Sequence, residues 1–172
     1  NHRSVFDFII IGYFLVKETT YMPIILAADV FNQFPMGFFF RRMGAYFVRR
    51  HESDEFYQMI FRHYVMLILK YELVHMFFIE GGRNKSGGYS EPKTGILKYI
   101  LEGRKKYSIN KEILFIPVNI SYDCVAESSI VIKENDSGKS RSIFASVGKY
   151  LSYKTMGNCY INFGRPIPLS SF

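Results

Sequence analysis

The chain has 172 residues, with 22 Lys and Arg against 15 Asp and Glu for a formal net charge of +7, and it is 48 % hydrophobic and 17 % aromatic. That apolar share excludes a disordered tail, and the length suits one domain over residues 1–172, able to bury roughly two-thirds of its unfolded surface. Two cysteines, Cys124 and Cys159, exclude a disulfide scaffold and any multi-cysteine zinc site, and read as reduced thiols of an intracellular protein.

Asn1 is not an initiator Met and the first residues already look like a motif, so the chain reads as a piece of a longer protein. Residues 5–17 predict a helix opened by Ser4, and Ile24 to Ala28 a short apolar strand after Pro23. Ala45 to Val48 predicts a second strand ended by charge. Residues 54–70 give the clearest helix, with Phe56, Met59, Ile60, His63 and Leu67 at the 3.6-residue period and Ser53 as N-cap. A strand from Val74 to Ile79, a helix over 93–105 and a strand from Ile113 to Ile120 carrying Pro117 follow. Lys133 to Arg141 predicts an exposed loop, Ser140 to Tyr153 a helix, and Asn158 to Phe163 a final strand. Strands alternating with helices predict an α/β fold with a central, mostly parallel sheet flanked by helices.

No run reaches the ~18–20 apolar residues of a membrane-spanning helix; the longest, Phe8 to Val16, stops at Lys17-Glu18. Phe38-Phe39-Phe40 beside Arg41-Arg42, and Tyr46-Phe47-Val48 beside Arg49-Arg50, are aromatic-plus-basic clusters. Such clusters either lie on an anionic bilayer surface or combine core aromatics with solvated arginines. The charge points to an anionic partner, and no nucleic-acid-binding signature accompanies it.

His2 and Asp7 form H-x-x-x-x-D. Along one continuous helix that spacing would turn the side chains about 140° apart. They meet if His2 lies in the loop before the helix and Asp7 in its first turn, where the carboxylate would fix the imidazole tautomer and leave the other nitrogen as a base. Ser4-x-x-Asp7 is equally a capping box. Glu80-Gly81-Gly82-Arg83-Asn84-Lys85 follows a predicted strand, where α/β ligand sites form, and its Arg83 and Lys85 could neutralise a phosphate unless they are simply solvated. Gly44 to Arg50 adds Arg49 and Arg50 at a strand end. Gly138-Lys139-Ser140 lacks the leading glycine of a P-loop, no G-x-S-x-G elbow is present, and the four histidines show no metal-ligand spacing.

In order, His2…Asp7, Gly44 to Arg50, Phe78-Ile79-Glu80-Gly81-Gly82-Arg83 and Ile116-Pro117-Val118 resemble the glycerolipid acyltransferases, in particular the glycerol-3-phosphate and dihydroxyacetone-phosphate branch. The resemblance extends through Pro92-Lys93-Thr94-Gly95 and Tyr160 to Pro166, nearly the whole chain. Pro92-Lys93-Thr94-Gly95 leans toward the glycerol-3-phosphate type and Ile120-Ser121-Tyr122-Asp123 toward the dihydroxyacetone-phosphate type. It implies a single acyltransferase domain that moves a fatty acyl group from acyl-CoA or acyl-carrier protein to the sn-1 hydroxyl of glycerol 3-phosphate, giving lysophosphatidate for phospholipid synthesis. Dihydroxyacetone phosphate or a lysophospholipid are the alternative acceptors, and an anion- or membrane-binding module keeping the fold is the non-enzyme alternative. The resemblance makes His2 and Asp7 catalytic and assigns Arg50, Glu80, Gly81, Arg83 and Pro117 to acceptor binding, with Arg49 and Lys85 beside them. Neither metal nor redox cofactor is expected, and the expected place is the cytoplasmic face of a membrane.

Overall fold

The structure, a computed structural model, describes residues 2, 4, 6–49, 54–82, 89–123 and 157–171. Its centre is a parallel sheet of order β2-β1-β3, formed by β1 (Ile24–Ala28), β2 (Ala45–Val48) and β3 (His75–Met76). Ile25 lies opposite Ala45 on one side and opposite Met76 on the other. Helices α1 (Asp7–Thr19), α2 (Met36–Arg42), α3 (Glu55–Lys70) and α4 (Gly95–Lys106) complete the α/β arrangement. The carboxyl-terminal strands pair separately and antiparallel: β4 (Leu114–Phe115) with β7 (Ile167–Pro168), and β5 (Val118–Tyr122) with β6 (Cys159–Phe163).

Phe8 of α1, Ile25 and Ala27 of β1, Phe40 of α2 and Ala45 of β2 form one buried cluster. Burying each large side chain contributes roughly 1.5–3 kcal/mol, which a chain of short strands cannot obtain from ladder hydrogen bonds alone. The small Ala27 and Ala45 let Phe8 and Phe40 meet edge to face, 5.1 Å between centroids.

Several expected elements change shape. The predicted strand from Val74 to Ile79 shrinks to His75–Met76, and the strand from Ile113 to Ile120 divides at Ile116-Pro117 into β4 and β5. Pro117 has no N–H to donate to a ladder, and its carbonyl accepts the Gly164 N–H at 2.7 Å instead. The cap of α3 is Asp54, whose side chain accepts the Phe56 N–H, rather than Ser53, which lies outside the described residues. The face of α3 is also corrected. Phe56, Met59, Ile60 and Leu67 are exposed, whereas Val65, Met66 and Ile68 are buried. Apolar residues occupy both sides of this helix, and α4 selects the second: Phe61 meets Tyr99 edge on, and Gly103 lies against Met66 and Leu69. His63 is half-buried, with its ring nitrogens on the Met59 carbonyl and Lys106. The predicted loop at 133–141 and helix at 140–153 lie outside the described residues. No helix among the described residues is long and apolar enough to cross a membrane.

Candidate active site

The carboxyl ends of the parallel strands open into a cavity of about 280 Å³, the position where open α/β sheets place their ligands. Its wall is mostly apolar, including Phe8, Phe31, Phe61, Ile96 and Tyr99, and His2, Arg49, Gly81 and Lys93 also line it.

His2 precedes α1 and Asp7 is the first residue of that helix. Their side chains meet, with His2 Nδ1 donating to Asp7 Oδ2 at 2.8 Å. Asp7 is fully buried and His2 nearly so. The His2 ring stacks on Phe78, centroids 3.9 Å apart and planes within 15°. Once Nδ1–H is committed to the carboxylate, a neutral imidazole carries its lone pair on Nε2. The expected capping box does not form, because α1 starts at Asp7 with Phe6 as its N-cap and no side-chain cap; instead the Ser4 N–H donates to Asp7 Oδ2 at 3.1 Å, and Ser4 Oγ accepts from the Phe6 N–H. One oxygen of Asp7 thus ties down the turn before α1 and holds the His2 ring.

A third side chain reaches Asp7 from 115 positions along the chain: the Tyr122 hydroxyl donates to Oδ1 at 2.5 Å. Burial, then the hydrogen bond and charge of Asp7, push the Tyr122 phenol well above its ordinary range, so it stays a donor. Spacing along the sequence carries no trace of this contact.

Arg49 follows β2, with its guanidinium 5.5 Å from the Tyr57 ring centroid and its N–H on the Tyr57 hydroxyl. Arg50, Arg83 and Lys85 lie outside the described residues. Glu80 is buried and its Oε2 accepts the Ser90 N–H at 3.0 Å. Burial pushes the Glu80 carboxyl up, the Ser90 N–H bond leads the effects that pull it down, and the net direction is down. Gly81 turns the chain at φ +66°, and a Cβ there would stand 2.6 Å from Lys93 Cδ. Glycine thus lets the Lys93 side chain cross the turn into the cavity wall, a cation to which the sequence reading gave no role. Pro117 is not among the residues lining this cavity. Among the described residues, no group of three or more His, Cys, Asp or Glu could hold a metal ion.

A carboxylate-oriented imidazole at the wall of a parallel-sheet cavity, with cations in the same wall, is an arrangement able to take up a proton from a bound group. The acyltransferase family matches residues 1–121, and the chain belongs to that family. It is similar to proteins named glycerol-3-phosphate acyltransferase from Pseudoalteromonas atlantica and Hamiltonella defensa, each 35 % identical over 99 % of this chain and 21 % of the relative. The protein of that name from Colwellia psychrerythraea is 32 % identical over the same shares. The chain spans about a fifth of the length of the curated relatives it matches.

Proposed function

We propose that residues 1–172 form one acyltransferase unit that moves a fatty acyl group from a thioester, acyl-CoA or acyl-carrier protein, to the sn-1 hydroxyl of glycerol 3-phosphate. The product is lysophosphatidate, which opens phospholipid synthesis. The observation that carries this reading is His2, held by the buried Asp7, on the wall of a mostly apolar cavity that Arg49 and Lys93 also line. The relatives' names favour glycerol 3-phosphate over dihydroxyacetone phosphate or a lysophospholipid as acceptor.

An alcohol is a weak nucleophile at neutral pH, so its proton must leave as it attacks. His2 Nε2 takes the hydroxyl proton while the oxygen adds to the thioester carbonyl, and Asp7 stabilises the imidazolium. The tetrahedral intermediate then expels the thiolate, which takes the proton from His2 and departs as the thiol. The step balances with thioester and alcohol alone, so the donor enters as co-substrate and no cofactor is invoked. Arg49 and Lys93, with Arg50, Arg83 and Lys85, hold the acceptor phosphate, each charge-assisted hydrogen bond contributing roughly 1.5–3 kcal/mol. Glu80 and Gly81 form the turn assigned to approach that phosphate, whereas Pro117, which the resemblance ties to acceptor binding, lies outside the cavity lining. Both donor and product are amphiphiles, and exposed Phe34, Phe38 and Phe39 beside Arg41 and Arg42 suit a protein resting on the cytoplasmic face of an anionic membrane.

Thiol release by the full-length protein tests the reading, with glycerol 3-phosphate, dihydroxyacetone phosphate and lysophosphatidate as acceptors. Glycerol 3-phosphate is expected to support turnover best, and His2→Ala to lose about 10²–10⁴-fold in kcat with the fold retained. A folded His2→Ala variant with wild-type turnover would remove His2 from the chemistry, and a folded wild-type protein without turnover on any of the three acceptors would leave an anion-binding module. Preference for another acceptor would overturn the substrate.

A further inference from the structure

We propose that Tyr122 is a positioning residue of this acyl transfer, fixing the plane of the Asp7 carboxylate so that His2 presents Nε2 to the acceptor hydroxyl. The inference rests on the reading of His2 and Asp7 as the reacting pair.

The two oxygens of Asp7 are divided between different parts of the chain. Oδ2 receives the His2 Nδ1–H and the Ser4 N–H, both from the amino-terminal turn. Oδ1 receives the Tyr122 hydroxyl, from the end of β5. A carboxylate anchored through one oxygen can still swing about its Cβ–Cγ bond and carry the imidazole with it. Anchoring the second oxygen from another element removes that freedom, and catalysis by an oriented base depends on geometry at the scale of about 1 Å.

Tyr122 is itself well placed for this. It sits opposite Cys159 where β5 pairs with β6. The next residue, Asp123, clasps the start of β6: its Oδ2 accepts the Asn158 N–H at 2.9 Å and the Asn158 side-chain amide at 3.0 Å. Gly157 adopts φ +68° there, and a Cβ would come within 2.9 Å of the Asp123 side chain. These contacts tie the end of β5 to the start of β6 at the position that carries Tyr122. The β5–β6 ribbon stands outside the parallel sheet, so the Tyr122 contact joins it directly to the reacting pair.

Removing one phenolic oxygen from a half-buried ring leaves the packing in place, which makes Tyr122→Phe in the full-length protein the decisive variant. Thiol release should show kcat reduced between about 10- and 100-fold, KM for glycerol 3-phosphate within about twofold of wild type, and a thermal midpoint lower by only a few degrees. In an Asp7→Asn background, Tyr122→Phe should cost no further activity, because its effect passes through that carboxylate. Unchanged kcat in Tyr122→Phe, or an equal loss in both backgrounds, would remove Tyr122 from the mechanism. His2→Ala in the same assay separates the two failures. If His2→Ala is inactive while Tyr122→Phe retains wild-type kcat, only the role of Tyr122 falls. If His2→Ala turns over normally, the reading of His2 and Asp7 as the reacting pair falls, and the role of Tyr122 with it.

Discussion

His2 and His75 each meet a side-chain oxygen, and the nature of that oxygen sets their chemistry. His2 Nδ1 meets a fully buried carboxylate, which fixes the ring's tautomer and orientation. The His75 Nε2 instead accepts from the Tyr46 hydroxyl at 3.0 Å, and burial lowers the His75 pKa from 6.5 to about 4. Between those values the folded protein keeps His75 neutral while the unfolded chain protonates it, so the unfolded state binds more protons and stability rises with pH. The contribution is complete above pH 6.5 and is lost as pH falls toward about 4, a change on the order of 3 kcal/mol. Thermal midpoints of wild type and His75→Gln, followed from pH 7 to pH 4, should converge as the wild type loses this advantage; parallel curves would contradict it. The His2–Asp7 contact was legible because a loop residue and a first-turn residue five positions apart can meet only one way. Tyr122 was not, because no local period links it to Asp7.

Elements were legible where one neighbour sufficed and lost where two competed. β1 and β2 are apolar runs bounded by Pro23 and by charge, and both form as expected. The sequence of α3 offers two apolar faces, so periodicity alone marks a helix without choosing its buried side; contact with α4 decides that. The start of β2 depends on a single residue. Gly44 adopts φ +82°, its carbonyl accepts the Ile25 N–H at 2.9 Å, and a Cβ would stand 2.5 Å from the Pro23 carbonyl oxygen. Gly44→Ala should therefore destabilise by at least about 1–3 kcal/mol, since both the left-handed backbone and the contact with a rigid carbonyl oppose it. A denaturation midpoint equal to wild type would show that β2 can begin elsewhere. Because Arg49 directly follows β2, the same substitution should raise KM for glycerol 3-phosphate.

For the molecule as a whole, α2 links the interior to a surface that the sequence marked only as a cluster of letters. Phe40 turns inward, 2 % exposed and 6.2 Å from Phe31 of the cavity wall, while Phe38 and Phe39 are 49 % and 53 % exposed and Phe34 is 89 % exposed. The Arg42 guanidinium lies 3.5 Å over the Phe38 ring, and Arg41 donates to Asn32 Oδ1, so both cations are held beside the exposed rings. The cluster is divided between interior and surface: one phenylalanine is core, and its neighbours are exposed. Aromatic rings beside fixed cations on a chain of charge +7 favour a bilayer with anionic headgroups, and each ring that inserts gains roughly 1.5–3 kcal/mol. The full-length protein should sediment with phosphatidylglycerol vesicles more than with phosphatidylcholine vesicles, and less as salt rises. Phe38→Ser with Phe39→Ser should weaken that binding by at least about tenfold, the loss expected for two inserted rings even after partial compensation. Turnover on a water-soluble short-chain thioester should not change, because neither ring lines the cavity. Equal sedimentation of variant and wild type would remove these two rings from any membrane contact.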